Sequence, residues 1–185
     1  NKGEISKAED LFCESEEIQK ENRSEHLYLY SLQGFQFCDL QMSQGKYHDV
    51  QQRAKQTIDI AIRNRWLLAI AVDKLSLGRA YLLEAVEKMD STSKVGFVFQ
   101  QAADELNQAV AGLRQAGAQE FIARGLFSRA FFYRVQNDFP QAWDDLEEAR
   151  EIAERDSMNL YLADYHLEAS RLLISDFGIQ TNPKS

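Results

Sequence analysis

Proline is nearly absent from these 185 residues, with two in all, and glycine is sparse at nine. A β-sandwich or a doubly wound α/β domain needs more turn residues than that, so an all-helical fold is the expectation. The two cysteines, Cys13 and Cys38, are too few for a disulfide framework or a zinc site. Both fall in helix-like contexts and read as small buried hydrophobes, which suits a reducing compartment. The longest apolar run, Trp66 to Val72, is far too short to span a bilayer, and no charged-then-apolar leader opens the chain. Basic charge is also in deficit. Twenty-one Lys and Arg face twenty-nine Asp and Glu, giving a net charge of −8 and a pI near 5.0. Nucleic acid and anionic membrane both require a positive field, so neither is an expected partner. The three histidines, His26, His48 and His166, form no i, i+4 pair and no His-Glu-x-x-His string, so no metal is expected. Seryl nucleophile motifs, P-loops and Gly-rich dinucleotide turns are missing as well. Neither an enzyme nor a cofactor is expected. The chain opens on Asn1 and not Met, as a piece of a larger protein would.

What is present is apolar residues at helical spacing: 44% of the chain is hydrophobic and 27% charged, enough for one sizeable globular domain. The spacing predicts helices at 5–21, 24–44, 47–63, 66–88, 95–115, 118–136, 139–155 and 157–175. Breaks fall at Gln44-Gly45-Lys46, at Ser91-Thr92-Ser93 with Gly96, and at Asn137-Asp138-Phe139-Pro140. Pro140 suits the first turn of a helix capped by Asp138, where its missing N–H costs nothing. A single domain over 1–177 is expected, and the aperiodic stretch from Gly178 to Ser185 reads as a flexible tail.

Eight helices with short connections imply antiparallel neighbours, and their residues repeat. Leu77, Gly78 and Tyr81 have counterparts in Arg129, Ala130 and Tyr133, and in Ala169, Ser170 and Leu173. The small residue lets two helices approach; the large one fills the space above it. Gly45-Lys46-Tyr47-His48-Asp49-Val50 recurs as Asn137-Asp138-Phe139-Pro140-Gln141-Ala142. Ala142, Leu146 and Ala149 then have the spacing of a buried stripe, as do Ala102, Leu106 and Ala109. The acidic run Asp144, Asp145, Glu147, Glu148 and Glu151 is accordingly expected on the opposite, solvated face.

These residues resemble tetratricopeptide repeats. Three units carry the resemblance: Leu126, Ala130, Tyr133, Phe139, Ala142, Leu146 and Ala149; Leu77, Gly78, Tyr81, Phe99, Ala102, Leu106 and Ala109; and, more weakly, Phe37, Cys38, Gly45, Tyr47, Val50 and Ala54, with Gln41 where an aromatic belongs. The units run over about 24–63, 66–115 and 118–155. Residues 157–175 form the first half of another, and 5–21 the second half of a preceding one. Unit starts at 34, 74, 126 and 166 are 40, 52 and 40 residues apart, against the family norm of 34. The middle excess falls at Glu87 to Val98. Longer, irregular units of this kind resemble arrays in bacterial regulators and signal-transducing NTPases.

The resemblance implies a right-handed superhelix of stacked antiparallel hairpins, a cytoplasmic protein-interaction module whose concave face takes a protein or peptide. Family groove positions transfer to Leu32, Phe35, Asp39 and Met42, then Leu75, Arg79 and Leu82. They continue at Arg124, Phe127, Phe131 and Arg134, and at Asp164, Leu167 and Arg171. His166 falls at a packing position. Four arginines on one face of an acidic chain suit an acidic, partly apolar peptide; alternatively they pair with neighbouring Glu and Asp. The family's two-carboxylate clamp is missing, because Phe35, Leu75 and Phe127 stand where Lys belongs. A second reading is the sensor or regulatory part of a larger signalling NTPase or transcriptional regulator. A third is a homodimer through terminal helices, since the last helix carries Leu160, Tyr161, Leu162, Leu167, Leu172 and Leu173.

Overall fold

The structure is a computed structural model, described over residues 2–22, 27–89 and 95–176. Eight helices follow in order: α1 (Lys2–Asn22), α2 (Ser31–Ser43), α3 (Tyr47–Asn64), α4 (Leu67–Glu87), α5 (Val95–Ala116), α6 (Gln119–Val135), α7 (Phe139–Arg155) and α8 (Asn159–Asp176). No strand occurs among the described residues. All eight fall within a few residues of their expected places except the start of α2. The break at Ser91–Ser93, the tail from Gly178 and His26 lie outside the described residues.

The expected helix from residue 24 does not begin until Ser31, because the backbone before it is bonded elsewhere. Gln19 Nε2 on α1 donates to the Tyr28 carbonyl (2.6 Å), and the Leu29 amide donates to Glu16 Oε1 (2.7 Å). Leu29 is buried on arrival. Gly34 makes room for this strap: a Cβ there would stand 2.4 Å from the Leu29 carbonyl oxygen. The apolar run Leu27 to Tyr30 fits period 2 and period 3.6 equally, so spacing could not separate strap from helix.

The chain falls into two compact units, Asn1–Gly112 and Leu113–Ser185. In the first, α2 and α3 pack as a hairpin, α4 rests on both, and α1 packs on α2. In the second, α6 and α7 form the hairpin and α8 rests on both. The expected stripes are the core: Ala102, Leu106 and Ala109 in α5, and Ala142, Leu146 and Ala149 in α7, are all buried. α4 buries residues all round, from Ala69 to Ala85, as a helix covered on several sides must.

Five connections share one form. Each helix ends on a left-handed residue, Gly45, Arg65, Gly117, Asn137 or Ser157, with φ between 55° and 74°. The next residue's amide then donates five residues back, Lys46 to Gln41, Trp66 to Ala61, Ala118 to Leu113, Asp138 to Tyr133 and Met158 to Ala153, over 2.8–3.3 Å. This is the Schellman closure, which satisfies carbonyls left open at a helix end. After Asn137 the expected cap appears, with the Gln141 amide donating to Asp138 Oδ1 and Pro140 in the first turn.

Gly78 is required by contact. A Cβ there would lie 2.9 Å from Leu106 Cγ and 3.0 Å from the Leu106 amide nitrogen, with backbone unable to yield. Alanine normally strengthens a helix by about 1 kcal/mol over glycine. Here Gly78→Ala is expected to destabilise by roughly 1–3 kcal/mol, read as a lower urea midpoint, because overpacking outweighs propensity. An unchanged or raised midpoint would refute the close approach.

Three expectations are corrected. Asp145 does not sit on a solvated face: it is buried and takes both oxygens to Arg129, Nε at 2.8 Å and Nη2 at 2.6 Å. Its acidic neighbours Asp144 and Glu151 are exposed. Cys13 is exposed, whereas Cys38 is buried and its thiol is pushed up to about 12 by desolvation, which leaves it unreactive. His166 is exposed, and its ring meets that of Tyr165 edge-on at 5.2 Å between centroids.

Candidate partner-binding surface

In the first unit most of the expected groove residues are core. Phe35 (2% exposed), Leu75 (0%), Leu82 (1%) and Met42 (6%) cannot offer their side chains to a partner; Leu32 is exposed. Arg79 donates Nη1 to Asp39 Oδ1 and lies 5.4 Å over the Phe35 ring. The two charged members of this set are therefore each other's partner. At the starts of α2 and α4 opens a cleft of about 360 Å³ lined by Tyr30, Ser31, Trp66, Leu67, Leu68 and Ala69, with Tyr30 stacked on Trp66 at 5.4 Å.

The second unit differs, because its expected residues on α6, Arg124, Phe127, Phe131 and Arg134, are half-buried rather than sealed. Arg124 on α6 donates Nε to Tyr161 Oη on α8 (2.8 Å), and that hydroxyl donates to Glu120 Oε1 (3.1 Å). Phe127 stacks on the same Tyr161 ring, 6.3 Å between centroids. Burial raises the Tyr161 hydroxyl above its ordinary value and keeps it a neutral donor.

One turn on, the Arg134 guanidinium lies 4.9 Å over the Phe131 ring. Its counter-ion is Glu168 on α8, but Nη2 stands 3.7 Å from Glu168 Oε2, beyond hydrogen-bond length. Glu168 is bonded instead to Arg171, three residues along α8. Arg134 Nε is buried and has no hydrogen-bond partner among the described residues. Burial, with Arg171 nearby, pulls the Arg134 guanidinium below its ordinary value. The cation is thus partly desolvated and only loosely neutralised. Asp164 and Leu167 are exposed on the outer part of α8, as is Arg171.

No family model, no curated protein and no solved structure matches the chain.

Among the described residues no three His, Cys, Asp or Glu side chains group as a metal site, and no helix is long and apolar enough to cross a membrane. Glu168 was not singled out from sequence, and Tyr161 was expected only as apolar surface of the last helix, whereas it is buried against Arg124 and Phe127. Glu168 had a signal, since it stands three residues before Arg171 on one helix face.

Proposed function

We propose that the chain is a protein-interaction module built of tetratricopeptide-like hairpins, which holds an acidic, partly apolar peptide against the first helix of its hairpins. The observation that carries this reading is Arg134, whose buried Nε lacks a partner while Glu168, its nearest carboxylate, is engaged by Arg171. An incoming carboxylate would supply the missing acceptor, and a guanidinium in a low-dielectric setting gains most from such a charge-assisted bond. Phe131 beneath the guanidinium and Phe127 beside Tyr161 offer apolar contact for the residues around that carboxylate.

The test is an array of short peptides rich in Asp and Glu with interspersed Leu or Phe, with a scrambled basic array beside it. Selected acidic peptides should bind the intact chain, and Arg134→Gln should weaken them roughly tenfold or more with helical content unchanged. Equal binding by wild type and variant, or no preference for acidic peptides, would end this reading.

A further inference from the structure

α8 has a second face that the hairpin beneath it does not use. Tyr161, Ala169 and Leu172 are buried on one side, and Ala169 and Leu172 share a core with Ala130, Ala142 and Leu146. Leu160, Leu167 and Ile174 recur every seven residues and lie within about 40° of one another around the helix, opposite that buried side. They are 72%, 50% and 39% exposed. Ala163 and Ser170, both small and exposed, sit alongside them and permit close approach of another helix. On α6 the corresponding positions, forty residues earlier, are Phe127 and Arg134, and these meet Tyr161 and Glu168 of the next first helix. The stripe on α8 is therefore shaped to receive a helix.

Charge specifies which helix. Asp164 and Arg171 are exposed on the same edge of the stripe, one on each side of Leu167 along the axis. Pack two α8 helices antiparallel about a two-fold axis at Leu167, and Leu160 of one copy faces Ile174 of the other. Asp164 then comes opposite Arg171, twice over. In a parallel pair the charged edges lie on opposite sides and these contacts vanish. We propose that α8 is a self-association surface, on which a second copy of this chain packs antiparallel through Leu160, Leu167 and Ile174 with reciprocal Asp164–Arg171 pairs. An isologous contact needs such a self-complementary patch. One pair of helices is a small interface, so association in the micromolar range is expected.

Sedimentation equilibrium of the full chain across that range provides the test, with circular dichroism to confirm folding. The wild type should dimerise. Leu167→Glu should raise the dissociation constant roughly a hundredfold or more, because symmetry places the substitution in the contact twice. Asp164→Arg should weaken association, and adding Arg171→Asp to it should restore it. A wild type that stays monomeric overturns the proposal, as does a dimer indifferent to Leu167→Glu. A dimer that the charge exchange fails to restore overturns the antiparallel pairing. Peptide binding at Arg134 is a separate readout, so failure of either leaves the other standing.

Discussion

Replacing Arg53 with methionine is expected to cost the first unit roughly 3–5 kcal/mol of stability, the toll for stranding one partner of a buried ion pair. Arg53 is 4% exposed and Glu16 6%. The guanidinium engages both carboxylate oxygens, Nη1 to Oε1 and Nη2 to Oε2, and donates Nε to Gln41 Oε1 at 3.3 Å. It lies between the Tyr28 ring at 4.6 Å and the Phe37 ring at 4.4 Å, and Phe37 is itself stacked on Phe12. One side chain on α3 thus ties down α1, the strap before α2, and α2. Methionine would keep most of the apolar stem but leave Glu16 buried with, among the described residues, the Leu29 amide as its one remaining donor. The unfolding transition of this unit in urea, followed by circular dichroism, gives the number. Glu16→Met together with Arg53→Met should cost much less than the two singly, since it removes both charges. A single-variant loss below about 1 kcal/mol would show the pair to be solvated.

Asp73 makes the second large prediction, and its sign is opposite to that of most carboxylates. It is 4% exposed, and Oδ2 has no hydrogen-bond partner among the described residues. Burial pushes the carboxyl up to about 7 from an ordinary 3.8, only partly offset by a hydrogen bond with Thr57 on α3. Below the ordinary value both folded and unfolded chains hold the proton, and Asp73 adds no pH dependence. Between the ordinary value and about 7 the unfolded chain releases it while the folded chain retains it, so stability falls as pH rises. Above about 7 the full cost of a buried carboxylate is in place, roughly 4 kcal/mol. Asp73→Asn carries no such charge. The stability difference between variant and wild type should therefore move by about that amount in the variant's favour from acid to mildly alkaline conditions. Urea midpoints across the range read it directly, and a flat difference would mean that Asp73 titrates as an exposed carboxylate.

Most of the helical framework was legible in the sequence because it rests on periodicity. Ala102, Leu106 and Ala109 are spaced as a buried stripe and are buried; so are Ala142, Leu146 and Ala149. Asp138 and Pro140 announced the start of α7 and stand there. The candidate site was less legible, for two physical reasons. A large apolar residue at a groove position has the same spacing as one that packs, so Phe35, Leu75 and Leu82 could not be distinguished from core by pattern. Polar partners also lie far along the chain: Arg79 meets Asp39 forty residues back, and Arg134 faces Glu168 thirty-four residues on. Separations of about one hairpin are invisible to any reading of neighbouring residues. Asp145 was misjudged for the same reason, since its Arg129 lies on the other helix of the hairpin.

The five Schellman closures have a consequence for how this chain tolerates change. Their geometry is written in main-chain hydrogen bonds, and the residues at the left-handed position are as unlike as glycine, arginine, asparagine and serine. A joint that asks so little of its side chain acts as a standard coupling. Sequence can drift on either side of it while the helices keep their connection, provided the buried stripes survive. Such couplings are natural places to splice: removing residues from one left-handed position to another excises whole helices and rejoins the backbone in the conformation it already had.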